Sequence, residues 1–136
     1  MPKPNFSGTW RFSREASVLQ IPAPDETLFV VEHQEPRLSI SRTHVVGDRR
    51  DTFSLELTTD GQDVSVERDN LRLRAHAVWD GDTLIFDAHL VRGGEAATNV
   101  VRYTLSNDRN RLSAEERFGS PSLSYDNFWV LDRVAV

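Results

Sequence analysis

The sequence predicts an all-β protein, a single antiparallel up-and-down barrel of about ten strands, and three observations predict it. From Glu26 onward, apolar residues recur with period two in segments of roughly eight residues. Turn chemistry separates these segments at short intervals, most strongly at the Asp-Gly pairs Asp60-Gly61 and Asp80-Gly81. No segment keeps a helical period long enough to form a lasting helix. A meander of this length closes into a barrel because closure removes its unpaired edges.

Met1-Pro2-Lys3-Pro4 runs into Asn5-Phe6-Ser7 without an apolar stretch of signal-peptide length, so a cytoplasmic protein, or the mature form of an exported one, is expected. The first strand is expected from Gly8 to Ser13. The segment Arg14 to Asp25 is broken by Pro22 and Pro24 and offers no helical lid. Strands then follow at Thr27 to Gln34, Arg37 to Val45, Arg50 to Thr58, Asp63 to Arg68, Leu71 to Trp79, Thr83 to Val91, Thr98 to Ser106, Arg111 to Phe118 and Tyr125 to Val134. Between them stand Glu35-Pro36, Gly47-Asp48, Asp60-Gly61, Asp69-Asn70, Asp80-Gly81, Gly93-Gly94, Asn107-Asp108 and Gly119-Ser120-Pro121.

Register follows from turn length. A two-residue turn at Asp80-Gly81 sets Ala77 against Leu84 and Ala75 against Phe86 on an apolar face, with Arg74 against Asp87 on the other. The turn at Asp69-Asn70 sets Val66 against Leu73 and Val64 against Ala75 inside, with Glu67 against Arg72 outside. Around Asp60-Gly61, Leu57 meets Val64 and Leu55 meets Val66. A loop from Asn107 to Asn110 sets Leu105 against Leu112, Tyr103 against Ala114 and Arg102 against Glu115. Four hairpins agree on one inner face, and a one-residue slip would invert every side chain.

With 136 residues, of which 38% are hydrophobic and 27% charged, the chain is expected to form one domain over residues 1–136. Its net charge of -5 provides no general attraction to nucleic acid or to an anionic membrane, so neither is an expected partner. Its zero cysteines exclude a disulfide framework, a thiolate metal site and a cysteine nucleophile.

Phe6-Ser7-Gly8-Thr9-Trp10 resembles the opening of the calycins, the superfamily of lipocalins and fatty-acid-binding proteins, where a Gly-x-Trp begins the first strand. The resemblance spans nearly the whole chain and, by strand count, lies closer to the fatty-acid-binding arm. It implies that Gly8, Trp10 and Arg133 form a structural signature, with Trp10 packed at the closed end of the barrel beneath Arg133 of the last strand. Two features depart from that arm: the missing helical lid, and the missing Arg-x-Tyr on the last strand, where Arg133 is followed by Val134 and Ala135.

The inner face divides by depth. At the Trp10 end it carries Leu38, Leu57, Val64, Ala77, Leu84, Leu105, Leu112 and Leu131, which seal the barrel. Nearer the mouth it carries Arg42, His44, Asp51, Phe53, Arg68, Asn99, Glu116, Phe118, Tyr125 and Asn127, with Phe29, Phe86, Tyr103 and Trp129 at intermediate depth. An apolar floor, aromatic walls and a few converging polar groups are how small-molecule sites are built.

His44 faces Asp51 across a hairpin, a His oriented by a carboxylate, and Glu116 is an inward carboxylate facing Val101 and Asn127 whose desolvation or pairing with Arg42 or Arg68 decides its use. His76 and His89 fall on the outer face and His33 near the closed end, so no pair of histidines converges and neither metal nor cofactor is expected. Haem-binding relatives of the superfamily carry their ligand His near the C-terminal strands, and this chain has no His after His89.

The expected function is binding of a small, largely apolar ligand, with Arg42, Arg68, Tyr103, Tyr125 and Asn127 fixing an anionic or hydrogen-bonding head group. The alternative is an enzyme on the same barrel, an isomerase, lyase, cyclase or hydrolase, with His44-Asp51 or Glu116 carrying the proton. Outward Phe128 and Val130 form an apolar stripe that either pairs subunits, giving a weak homodimer, or lies under the Arg14 to Asp25 loop of a monomer.

Overall fold

A computed structural model describes residues 3–135. Ten strands follow one another: β1 (Gly8–Phe12), β2 (Glu26–Gln34), β3 (Arg37–Val46), β4 (Arg49–Thr58), β5 (Val64–Arg68), β6 (Leu71–Asp80), β7 (Thr83–Arg92), β8 (Glu95–Leu105), β9 (Arg111–Gly119) and β10 (Ser124–Arg133). They form one antiparallel sheet in the order β4-β3-β2-β1-β10-β9-β8-β7-β6-β5. Pairing of β1 with β10 joins the ends of the chain and curls the sheet into a nearly closed barrel. Among the described residues there is no helix, hence none long and apolar enough to cross a membrane.

The registers at Asp69-Asn70 and Asn107 to Asn110 are those the sequence predicts: Val66 pairs with Leu73, and Tyr103 with Ala114. Two other expectations are corrected. The β6–β7 turn is Gly81-Asp82, so Ala77 pairs with Phe86 and Ala75 with Ala88, two residues from the expected register. Gly81, at φ +63°, is the first turn residue, and Asp80 is drawn into the strand, where its carboxylate accepts from Arg102 Nη2 at 3.1 Å. A slip of two residues preserves the faces, which is why the inner face survives it.

The second correction is at Asp60-Gly61, where β4 and β5 do not pair and are instead the two edges of the sheet. Asp60 bridges Val78, Gly61 N–H donates to Ala77 O, and buried Thr59 donates to Glu35 Oε1, so this connection packs on β6 and β2–β3 and holds β5 away from β4. Near the mouth, Arg68 spans the gap, donating to Thr52 O at 2.8 Å and to Asp51 Oδ1 at 3.1 Å.

Trp10, Leu84, Leu112 and Leu131 are fully buried at the closed end. Trp10 pairs with Arg133 in register, and the guanidinium lies over the indole with its Cζ 4.3 Å from the ring centroid. Gly8 adopts φ +140°, and a Cβ there would collide with Arg133 Nη1. The Gly-x-Trp signature is thus a close approach of backbone to guanidinium. Phe6, His33 and Trp79 cluster with ring centroids 5.8 to 6.0 Å apart, and this triangle of rings completes the plug. Phe6 N–H donates to His33 Nδ1, so the ring's proton sits on Nε2 and is donated to Glu35 Oε1 at 2.7 Å.

Residues 13–20 run along β10. Val18 bridges Phe128, Ser17 Oγ accepts from Val130 N–H, and Val130 is buried. Of the outer stripe, Val130 is covered while Phe128 stays exposed.

Candidate functional site

The barrel encloses a cavity of about 810 Å³, open at the end opposite Trp10. Its wall is the inner face of β2 to β10, where alternate residues point inward. Leu55, Leu73, Leu90, Ala88 and Ala97 give it apolar surface, and Ala88 in particular leaves room that a larger side chain would fill. Phe29, Phe53, Phe86, Phe118, Tyr103 and Tyr125 supply aromatic surface. Phe29 meets Tyr103 edge-on at 6.4 Å, and Phe118 stacks on Tyr125 at 4.8 Å.

Arg42, Asp51, Arg68, Asn99 and Glu116 also line this cavity. His44, Asn127 and Trp129, placed inward by sequence, stand outside its wall. Asn127 and Trp129 instead hold a residue that lines it: Asn127 Nδ2 and Trp129 Nε1 each donate to Glu116 Oε1 at 2.9 Å, while Asn99 Nδ2 donates to Oε2 at 3.0 Å. Glu116 is therefore held by three neutral donors from β8 and β10, and neither Arg42 nor Arg68 lies within ion-pair distance of it.

His44 and Asp51 are cross-strand neighbours, as the hairpin predicts. Their side chains do not meet as a dyad. His44 Nδ1 bonds Thr27 Oγ1 at 2.6 Å, and its ring lies 5.9 Å from that of Trp129. Asp51 turns to Arg68. Burial lowers the His44 pKa to about 4, the Arg42 charge pushes the same way, and Glu116 and Asp51 oppose it, so the imidazole is neutral at pH 7. Thr27 could have been found from the sequence, since the same register exercise at Glu35-Pro36 pairs it with His44.

The two cations of the site differ. Arg68 is half exposed and bound to Asp51 and Thr52. Among the described residues the Arg42 guanidinium has no ion pair, and its Nε is buried without a hydrogen-bond partner. Its Cζ lies 5.9 Å from the centre of the Phe53 ring. Burial holds the Tyr103 phenol well above the usual range, with Glu116 adding to the shift and Arg42 opposing it. The same influences raise Tyr125. Both are therefore neutral hydroxyls able to donate.

His76 and His89 pair with Asp63 and Asp87 on the outer face. Among the described residues no cluster of three or more His, Asp or Glu is arranged to hold a metal ion. The sequence missed the Phe6–His33–Trp79 stack with Glu35, which belongs to the closed end and leaves no ring nitrogen of His33 free. Although burial works to raise it, the bonds from His33, Thr59 and Trp79 hold the Glu35 carboxyl below its ordinary pKa.

No protein-family model and no curated protein matches the sequence. Solved structures do match in shape. Secretory abundant heat soluble protein 4 from Ramazzottius varieornatus superposes with a TM-score of 0.61 at 15% identity, covering 99% of both chains. Zebrafish ileal bile acid-binding protein, complexed with cholic acid, gives 0.62 at 10% identity over 95% of this chain and 98% of that one. A Schistosoma mansoni fatty acid binding protein in complex with arachidonic acid gives 0.55 at 8% identity, covering 96% of each. At these identities the likeness is one of fold: the chain has the calycin-like antiparallel β-barrel.

Proposed function

We propose that this barrel binds a small amphiphile, its apolar body held among the aromatic walls and its anionic head group against Arg42. The observation that carries the reading is the guanidinium itself. It sits in the wall of an 810 Å³ cavity with its Nε buried and no carboxylate paired to it. A buried donor is ordinarily matched by an acceptor, and an anion arriving with the ligand supplies one. Tyr103, on the facing wall, offers a neutral hydroxyl as a second donor. Arg68 and Tyr125 stand nearer the mouth, and Asn127 and Trp129 act through Glu116. Two barrels of the same shape have cholic and arachidonic acids bound, each an apolar body with an acidic end.

The acid–base alternative has less geometry behind it. His44 is turned away to Thr27, and both oxygens of Glu116 are engaged by protein donors. The test is saturable binding of 1-anilinonaphthalene-8-sulfonate, followed by its displacement with decanoate and with decanol. Decanoate is expected to compete at least tenfold better, the ratio that one charge-assisted hydrogen bond of about 1.4 kcal/mol confers. Equal competition removes the anionic head group from the account, and absence of saturable binding removes the binding reading itself.

A further inference from the structure

Besides Arg42 Nε, one other buried side-chain polar atom among the described residues lacks a partner: Asn99 Oδ1, in the wall of the same cavity. Nδ2 of Asn99 donates to Glu116 Oε2 at 3.0 Å, and the carbonyl oxygen is the atom left unpartnered. The two orphans are opposite in sense: Arg42 Nε wants an acceptor, and Asn99 Oδ1 wants a donor. Asn99 is also set apart from Tyr103 along the barrel. Asn99 and Tyr103 point inward from the same strand four positions apart, which places Asn99 roughly 13 Å nearer the mouth by strand rise. Between them Val101 is flanked in register by Phe86 and Glu116, both of which line the cavity, and β8 itself carries no second inward hydrogen-bonding side chain.

We infer that the ligand is an anionic amphiphile bearing a hydroxyl part-way along its apolar body, its acid end at Arg42 and Tyr103 and its hydroxyl donating to Asn99 Oδ1. This rests on the proposed binding reading and narrows it. A buried acceptor left unmatched is costly, so a ligand that brings a donor to this position gains over one that buries only methylenes there. Because Asn99 stands in the cavity wall, what supplies the missing donor is what fills the cavity.

The experiment displaces 1-anilinonaphthalene-8-sulfonate with three acids of one chain length: stearate, 12-hydroxystearate and 12-oxostearate. The hydroxy acid is expected to bind about threefold to tenfold tighter than stearate, the worth of one neutral hydrogen bond. The oxo acid, which accepts but cannot donate, is expected to gain nothing. In Asn99→Leu the hydroxy acid's advantage over stearate disappears, because the acceptor that distinguishes the two acids is gone. Glu116 Oε1 keeps its bonds from Asn127 and Trp129 there while Oε2 loses its donor, and a unique folded spectrum certifies the variant. Equal binding of hydroxy acid and stearate to the unaltered protein overturns this inference while leaving the binding reading intact, as does a gain shown equally by the oxo acid. If no acid displaces the probe, the binding reading and this inference fall together.

Discussion

Replacing Arg42 by Met should change stability and affinity in opposite directions. Met keeps the length and apolar stem of the side chain, so the packing against Phe53 is largely retained. What is lost is a guanidinium whose Nε is buried without a partner and which no carboxylate compensates. An unmatched buried donor costs about 1 to 3 kcal/mol, so the empty protein should gain on the order of 1 kcal/mol after discounting for the part of the group that cavity water reaches. The anionic ligand loses a charge-assisted contact worth about 1.5 to 3 kcal/mol, a weakening of about tenfold to 150-fold. Urea midpoints of the ligand-free proteins and decanoate displacement of 1-anilinonaphthalene-8-sulfonate read the two quantities separately. A variant that is several kcal/mol less stable yet binds decanoate unchanged would show that Arg42 is a structural residue, and the reasoning fails.

The pH dependence of stability should carry a signature of His44. Its folded pKa of about 4 lies below the ordinary 6.5, so between these values the unfolded chain binds a proton that the folded one refuses, and stability present above pH 6.5 is lost as pH falls toward 4. The full difference would be about 3 kcal/mol, and partial solvent screening reduces it to roughly 1 to 2 kcal/mol. Urea midpoints at pH 7 and 4.5 should converge by that amount in His44→Asn, and an unchanged pH dependence in the variant argues against a buried neutral imidazole. At the closed end, Gly8→Ala puts a Cβ into Arg133 Nη1 from a backbone at φ +140°, and a loss of more than about 2 kcal/mol is expected in chemical denaturation. A loss under about 0.5 kcal/mol would mean that Arg133 does not lie over Trp10 as described.

The inner face was legible because side-chain direction in a strand has period two, an error of two residues at Gly81 leaving every face unchanged. The gap between β4 and β5 was not legible. Leu55 and Leu57 have the alternation of a paired strand, and what separates them from Val64 and Val66 is the tertiary packing of Thr59, Asp60 and Gly61 on Glu35, Val78 and Ala77. The inward side was read correctly for Arg42, Tyr103 and Asn99, which line the cavity. Partner choice escaped the sequence, since a cross-strand neighbour is a Cα relation. His44 lies opposite Asp51 yet bonds Thr27 on its other side, and Glu116 bonds Asn99, Asn127 and Trp129 rather than a cation. Charge pairing was the natural expectation for an inward carboxylate, and three neutral donors arranged on two neighbouring strands satisfy it as well.

The most direct test of the account is a crystal structure of the protein grown with decanoate. One molecule is expected inside the barrel, with carboxylate oxygens about 3 Å from the Arg42 guanidinium and the alkyl chain against Phe53 and Phe86. A decanoate head group bound at Arg68 on the rim, with Arg42 still unpaired, or a barrel filled by water alone at saturating decanoate, would contradict it.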